Sequence, residues 1–167
     1  MSTLKVDTIQ HSGGTTGLTI DSSGRILQPT KPAFRAYRNA TGWNDISNGT
    51  WTKVALNATD FNIGSHYDTS NYRFTAPVSG VYVFDYQLYS YSSGGGSKNM
   101  AVYVNGSEKM RSYYSNEAES TIKTHGPLYL NATDYAEPYL YVANATSNDY
   151  YFNSSSIYGW FTGYLLG

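Results

Sequence analysis

The chain has 167 residues, 18 of them tyrosine, with no cysteine and a formal charge of −1. That length accommodates one ordinary domain plus a short extension without covalent staples; the missing cysteines exclude disulfides and thiolate metal sites, and the near-neutral charge, with no basic stripe, excludes a nucleic-acid footprint. No apolar run approaches the roughly 20 residues that span a bilayer, so no membrane insertion is expected.

The first ten residues, MSTLKVDTIQ, lack the basic start and apolar stretch of a signal peptide, which predicts a protein made in the cytoplasm without Sec-type export. Leu4, Val6 and Ile9 are followed by Leu18, Ile20 and Ile26, the last three flanking Asp21-Ser22-Ser23-Gly24, which places Asp and Gly where a tight turn needs them. A segment this short, with so few large apolar groups, cannot build its own core, and its alternation favours assembly with other chains. Residues 28–32, QPTKP, read as a linker, because two prolines three apart disfavour helix and interrupt strand pairing. The expected division is therefore an attachment and trimerisation segment over 1–31 and a head over 32–167.

The head reads as all-β: short alternating runs recur between Gly, Asn, Asp and Ser, and long windows of helical period are absent. Residues 81–88 alternate, with Tyr82, Phe84, Tyr86 and Leu88 forming one face. Asn105-Gly106 after Met100 to Val104 is a strong hairpin signal, since both turn positions need positive φ. Residues 129–130 and 139–142 read as further strands. The strand at 159–166 is apolar enough to lie at the centre of a sheet. Leu-Asn-Ala-Thr-Asp occurs at 56–60 and again at 130–134, which reads as one turn used twice.

Catalytic patterns are missing. His11, His66 and His125 have no partners in sequence, and no metalloprotease helix, nucleophile elbow or phosphate loop is present. Gly94-Gly95-Gly96 reads as a hairpin end. Glu117 and Glu119 would lie roughly 6.5 Å apart on one side of a strand, a spacing a glycosidase pair tolerates, yet such pairs are usually a solvated face. The chain is therefore expected not to be an enzyme and to need no cofactor. Asp134, Glu137 and Asp149 offer oxygen ligands for calcium, without the dense Asp and Asn alternation of a calcium loop. Seven Asn-x-Ser/Thr sequons follow from an Asn- and Thr-rich turn composition. Three stretches rich in Tyr, Ser, Gly and Asn, at 89–99, 112–120 and 144–156, read as recognition loops. Tyr89, Tyr91, Tyr113, Tyr114, Tyr150 and Tyr151 are their candidate contacts.

Residues 67–84, YDTSNYRFTAPVSGVYVF, resemble the central signature of the globular heads of complement component one q and its relatives. Asn62 stands five residues before Tyr67 and Phe74 seven after it; Pro77, Gly80, Tyr82 and Phe84 follow in the family's order. Residues 161–166 resemble the family's last strand and residues 32–34 its first. Asn71-Tyr72 stands where the family often has Thr-Gly, and no collagen Gly-X-Y repeat is present. The resemblance implies a ten-stranded jelly-roll sandwich of two antiparallel sheets, packed as a homotrimer. It places Phe34, Tyr67, Phe74, Tyr82, Phe84, Trp160, Phe161 and Tyr164 in the core or the trimer interface.

Residues 4–10 and 17–26 resemble the N-termini of structural proteins of tailed bacteriophages. That second resemblance implies a virion protein that attaches to other virion proteins through Leu4, Val6, Ile9, Leu18, Ile20 and Ile26. Its head would be a fibre or tail-tip module binding a host-surface glycan or protein. The alternatives are a connector that decorates capsid or tail and binds only other virion proteins, or a polysaccharide depolymerase.

Overall fold

Alternation with period two puts every second side chain on one side of a strand, and a sheet with one apolar face must bury it against another layer. The computed structural model describes residues 4–93, 96–115, 119–143, 147–152 and 157–166, the side chains of 93, 119 and 147–152 lying outside that description. Among the described residues there are strands and turns and no helix. The strands are β1 (Thr8–Gln10), β2 (Thr16–Ile20), β3 (Ile26–Leu27), β4 (Ala33–Tyr37), β5 (Gly42–Asp45), β6 (Thr52–Lys53), β7 (Ala58–Ile63) and β8 (Tyr67–Asp68). They continue as β9 (Arg73–Thr75), β10 (Gly80–Ser93), β11 (Ser97–Val104), β12 (Ser107–Ser115), β13 (Glu119–Leu130), β14 (Tyr135–Ala143), β15 (Ser147–Phe152) and β16 (Trp160–Leu165).

β1, β2 and β3 make a separate three-stranded sheet. The other strands form two sheets of seven and six strands that enclose one core. In the first, β13 pairs along one edge of β10, while β16 and β15 share the other edge end to end; β4 and β7 follow β16, and β5 follows β15. In the second the order is β12-β11-β14-β9-β8, with β6 and β9 sharing one edge of β14. These shared edges divide the jelly roll into more strand segments than the ten that the resemblance implies. The last strand lies between β10 and β4, central as its apolar sequence requires.

Tyr82, Phe84, Tyr86 and Leu88 all point inward and are fully buried. Phe34 sits at the middle of the core, its ring 5.0 Å from Tyr67, 4.9 Å from Phe74 and 5.2 Å from Phe161. Gly163 is where β16 passes this cluster. A Cβ there would lie 2.7 Å from Phe84 Cδ1 and 2.9 Å from Phe34 Cε1, so only glycine fits. The inward row of β10 continues with Ser90 and Ser92, both fully buried. Their end of the sandwich also holds buried Lys98, whose Nζ donates to Ser90 O at 3.2 Å and Ser120 Oγ at 3.3 Å.

Local chemistry accounts for the turns. Asp21 Oδ1 accepts from the N–H groups of Ser23 and Arg25, and Gly24 takes φ 78°, as its sequence predicts. Asn105 and Gly106 close the β11–β12 hairpin with φ of 51° and 76°. Asn62 accepts from Tyr67 N at 3.0 Å and donates to Tyr67 O at 2.9 Å, fixing the corner into β8. Tyr72 adopts φ 53°, the left-handed region that glycine occupies at little cost. Tyr72→Gly is expected to raise the urea midpoint, by up to about 1 kcal/mol of stability; a lower midpoint would mean that the ring's contacts outweigh the backbone strain.

Three expectations are corrected. The triglycine segment is not a hairpin end: residues 94 and 95 lie outside the described residues, and the strands it joins, β10 and β11, belong to different sheets. The repeated pentapeptide is a turn only at 130–134, where Thr133 has φ 76°; at 56–60 it runs straight into β7. What the copies share is a buried leucine, Leu56 and Leu130, so five residues set a burial pattern and the flanking strands set the backbone. The third correction concerns the supposed recognition loops. Residues 89–93 and 97–99 belong to β10 and β11, residues 112–115 to β12, and 147–152 to β15. Serine and tyrosine alternate as well as valine does, so a polar composition did not end the strands.

Candidate recognition surfaces

Antiparallel register decides which outward side chains become neighbours, because residues directly opposite share a face. On the first sheet, Pro127, Val83, Tyr164, Ala33 and Ile63 form one uncharged row across β13, β10, β16, β4 and β7. Tyr129 and Val81 pair in the next row, and Leu166 donates its N–H to Val81 O. Tyr164 is 47 %, Tyr129 66 % and Leu166 56 % exposed, so this end of the sheet is an open apolar surface. Further along, Trp160 donates Nε1–H to Asp85 Oδ1 at 2.8 Å, and Arg35 lies 4.5 Å over the Trp160 ring while pairing with Asp60 at 3.1 Å. At the far end Trp43 meets Tyr89 and Tyr91 at 5.8 and 5.9 Å, and Tyr158 packs on Tyr89.

The outward face of the second sheet has different chemistry. Its rows are Tyr113–Asn99–Tyr141, Arg111–Ala101–Tyr139–Lys53 and Glu108–Tyr103–Glu137. Trp51, just before β6, lies 5.6 Å from Tyr103 and 5.4 Å from Tyr141, with the Arg111 guanidinium 5.1 Å over its ring. Tyr103 and Tyr139 stack at 4.3 Å. Arg111 donates to Glu108, and Lys53 Nζ donates to Glu137 Oε1 at 3.0 Å. Burial first, then the charge of Glu108 for one and Glu137 for the other, holds the phenols of Tyr103 and Tyr139 above the usual tyrosine range. Both therefore stay protonated donors at neutral pH. Ring planes rimmed by charged hydrogen-bonding groups are suited to holding a ligand.

The residues that the sequence singled out separate into distinct places. Phe34, Tyr67, Phe74, Tyr82, Phe84 and Phe161 are core; Trp160 and Tyr164 lie on the outward face of the first sheet. Burial raises the Tyr67 phenol well above its ordinary range, and its OH donates to Leu56 O. Tyr89 and Tyr91 join the Trp43 cluster. Tyr113 is 63 % exposed beside Asn99, and Tyr114 instead clamps the two sheets: its OH donates to Lys123 O and accepts from Lys123 N. Backbone pairing puts Tyr150 and Tyr151 in β15, opposite Asn44 and Trp43; their side chains lie outside the described residues. So do residue Glu117 and the side chains of Glu119 and Asp149.

Asp134 is a turn cap: it accepts from Asn105 Nδ2 at 2.7 Å and Asn131 N at 2.8 Å. The Asn105 bond, foremost, lowers its pKa. Glu137 is held by Lys53 on the sheet, and among the described residues no three His, Cys, Asp or Glu side chains gather as a metal site would need. Trp51, Tyr103, Tyr139 and Tyr141 were not singled out in the sequence. The odd positions of β14, opposite Leu140 and Val142, carried a signal for the last two; Trp51 carried none, since it reaches the sheet from a connecting segment.

The described residues thus define a jelly-roll sandwich with aromatic outer faces. The chain belongs to the C1q domain family, whose model matches residues 33–166. That family consists of non-enzymatic binding domains that typically assemble as homotrimers. Among solved structures, the globular domain of zebrafish complement 1qA protein matches with a TM-score of 0.58 at 19 % identity, covering 82 % of this chain and 98 % of that one. Eiger TNF from S. frugiperda matches at 0.58 and 12 %, covering 83 % and 94 %. Murine APRIL at pH 5.0 matches at 0.59 and 13 %, covering 81 % and 98 %. No curated protein matches the chain in sequence.

Proposed function

We propose that this chain is the trimeric, non-catalytic head of a bacteriophage fibre or tail tip, binding a host-surface carbohydrate through the outward face of its second sheet. The observation that carries this reading is the contrast between the two outer faces. The uncharged row around Tyr164 suits a permanent contact between identical subunits. The Trp51, Tyr103, Tyr139 and Tyr141 rings, rimmed by Arg111–Glu108 and Lys53–Glu137, suit reversible binding. A pyranose stacks its C–H face on aromatic planes, while its hydroxyls take charge-assisted hydrogen bonds from the rim. A trimer repeats that site three times, so weak single-site affinity is raised by avidity. The mounting on a virion rests on the resemblance of residues 4–10 and 17–26.

The test is binding of the full chain to a panel of surface glycans and to host cells. Trp51→Ala with Tyr141→Ala is expected to reduce binding by at least about tenfold, since each stacking contact contributes on the order of 1 kcal/mol. Undiminished binding by a folded double variant would sink this assignment. If deleting residues 1–31 prevents incorporation into particles while the double variant leaves adsorption intact, the chain is a connector.

A further inference from the structure

We infer that the N-terminal sheet is the wall of a three-fold β-prism, in which Ile9, Leu18, Ile20 and Ile26 of three copies face one another. The inference rests on the trimeric reading of the head. Ile9 pairs with Leu18 and Ile20 with Ile26, and Leu18 and Ile20 are two apart on β2. Cross-strand pairs and i, i+2 neighbours share a face, so all four side chains project from the same side. Thr8, Thr19 and Leu27 take the opposite side.

The outer strands of the apolar side are open, with Ile9 53 % and Ile26 65 % exposed, while Leu18 and Ile20 on the central strand are half-buried. Three short strands with one bare apolar face are at best marginally stable in water and need a second layer.

Two observations identify that layer as further copies of the same segment. The four side chains carry no charge, so identical faces can meet without like-charge repulsion. The segment is also continuous with the apolar end of the first sheet. Lys31 Nζ donates to Leu166 O at 3.0 Å, Leu165 N donates to Pro32 O at 3.0 Å, and Gly17 of β2 lines one cleft together with Leu165 and Leu166. If the heads meet through the Tyr164 row, the three N-terminal sheets are tethered beside the same axis. Their effective concentration is then far above that of any free partner. Leu4 and Val6 precede β1 and take no part in this pairing. The prism takes Ile9, Leu18, Ile20 and Ile26 out of the expected contacts with other virion proteins, for which the side bearing Thr8, Thr19 and Leu27 and the free strand edges remain.

The chain has no cysteine, so single thiols report cleanly. The full-length variants Ile26→Cys and Leu27→Cys are compared for their rate of reaction with a maleimide, alongside molar mass by light scattering. In a lone chain Ile26 is the more exposed of these neighbours, 65 % against 47 %. The prism reverses that order: Ile26→Cys is expected to react about tenfold or more slowly than Leu27→Cys, and a short bismaleimide should link its chains into dimers on a denaturing gel. Ile9→Cys is expected to behave like Ile26→Cys, which covers the case in which the first variant fails to assemble. A trimeric mass with fast reaction at both Ile26→Cys and Ile9→Cys overturns the prism alone. A monomeric mass for the unmodified chain overturns the trimeric reading itself.

Discussion

Phe34→Ala is expected to destabilise the head by about 3–5 kcal/mol, the range for deleting a buried aromatic ring that cannot be refilled. The ring is fully buried and lies against Tyr67, Phe74 and Phe161, and 6.5 Å from Phe84. It joins strands of both sheets, so no single neighbour can collapse into the space. The adjacent Gly163 tests the opposite error. Gly163→Ala inserts a methyl group within 2.9 Å of two rings and is expected to cost about 1–3 kcal/mol by overpacking. Pairing it with Phe84→Leu should recover part of that loss, because the two sites share one volume. Urea unfolding of the single and double variants reads both effects. A loss below about 1 kcal/mol for Phe34→Ala would show that the ring cluster does not carry the core.

Tyr164→Asp is expected to convert the proposed trimer to monomers. Tyr164 is the middle residue of an uncharged row that runs from Pro127 to Ile63, and it is 47 % exposed in the single chain. Closing three such rows around an axis would bring three carboxylates out of water beside one another, a cost of several kcal/mol per group with no cation in the row to offset it. Light scattering should show the molar mass falling to about one third, in line with three-fold closure. Tyr113→Asp serves as the control: it is 63 % exposed on the other sheet and should leave the mass unchanged. A folded Tyr164→Asp protein that stays trimeric would place the subunit contact elsewhere.

The fold was largely legible because its signals are local. Alternation through Tyr82, Phe84, Tyr86 and Leu88 fixed the inward face of β10, and Asn-Gly fixed the β11–β12 turn. The limits of local reading appear where composition and pattern disagree. Residues 89–93 and 112–115 carry the residues of a loop in the alternation of a strand, and the alternation prevailed because the strands found ladder partners, β13 and β15 on the two edges of β10 and β11 on one edge of β12. Lys98 shows the same limit. Its place on the inward side of β11 follows from Met100, Val102 and Val104, but the acceptors that its Nζ meets there, Ser90 O and Ser120 Oγ, come from other strands, β10 and β13.

The sequence by itself determined that the chain is all-β, that its core is aromatic, and that its N-terminal residues form an alternating apolar segment apart from the head. Each of these depends on spacing along one strand or on the backbone demands of one turn. Only the tertiary structure decided which tyrosines meet. Register between strands distant in sequence sets Val83 beside Tyr164 and Ala33, sets Tyr103 against Tyr139, and brings Trp51 over both sheet rows from a connecting segment. A strand's own sequence records which face a side chain takes, but not the neighbour across the ladder. The two outer faces, one uncharged and one rimmed with ion pairs, therefore became visible only when the strands were in place.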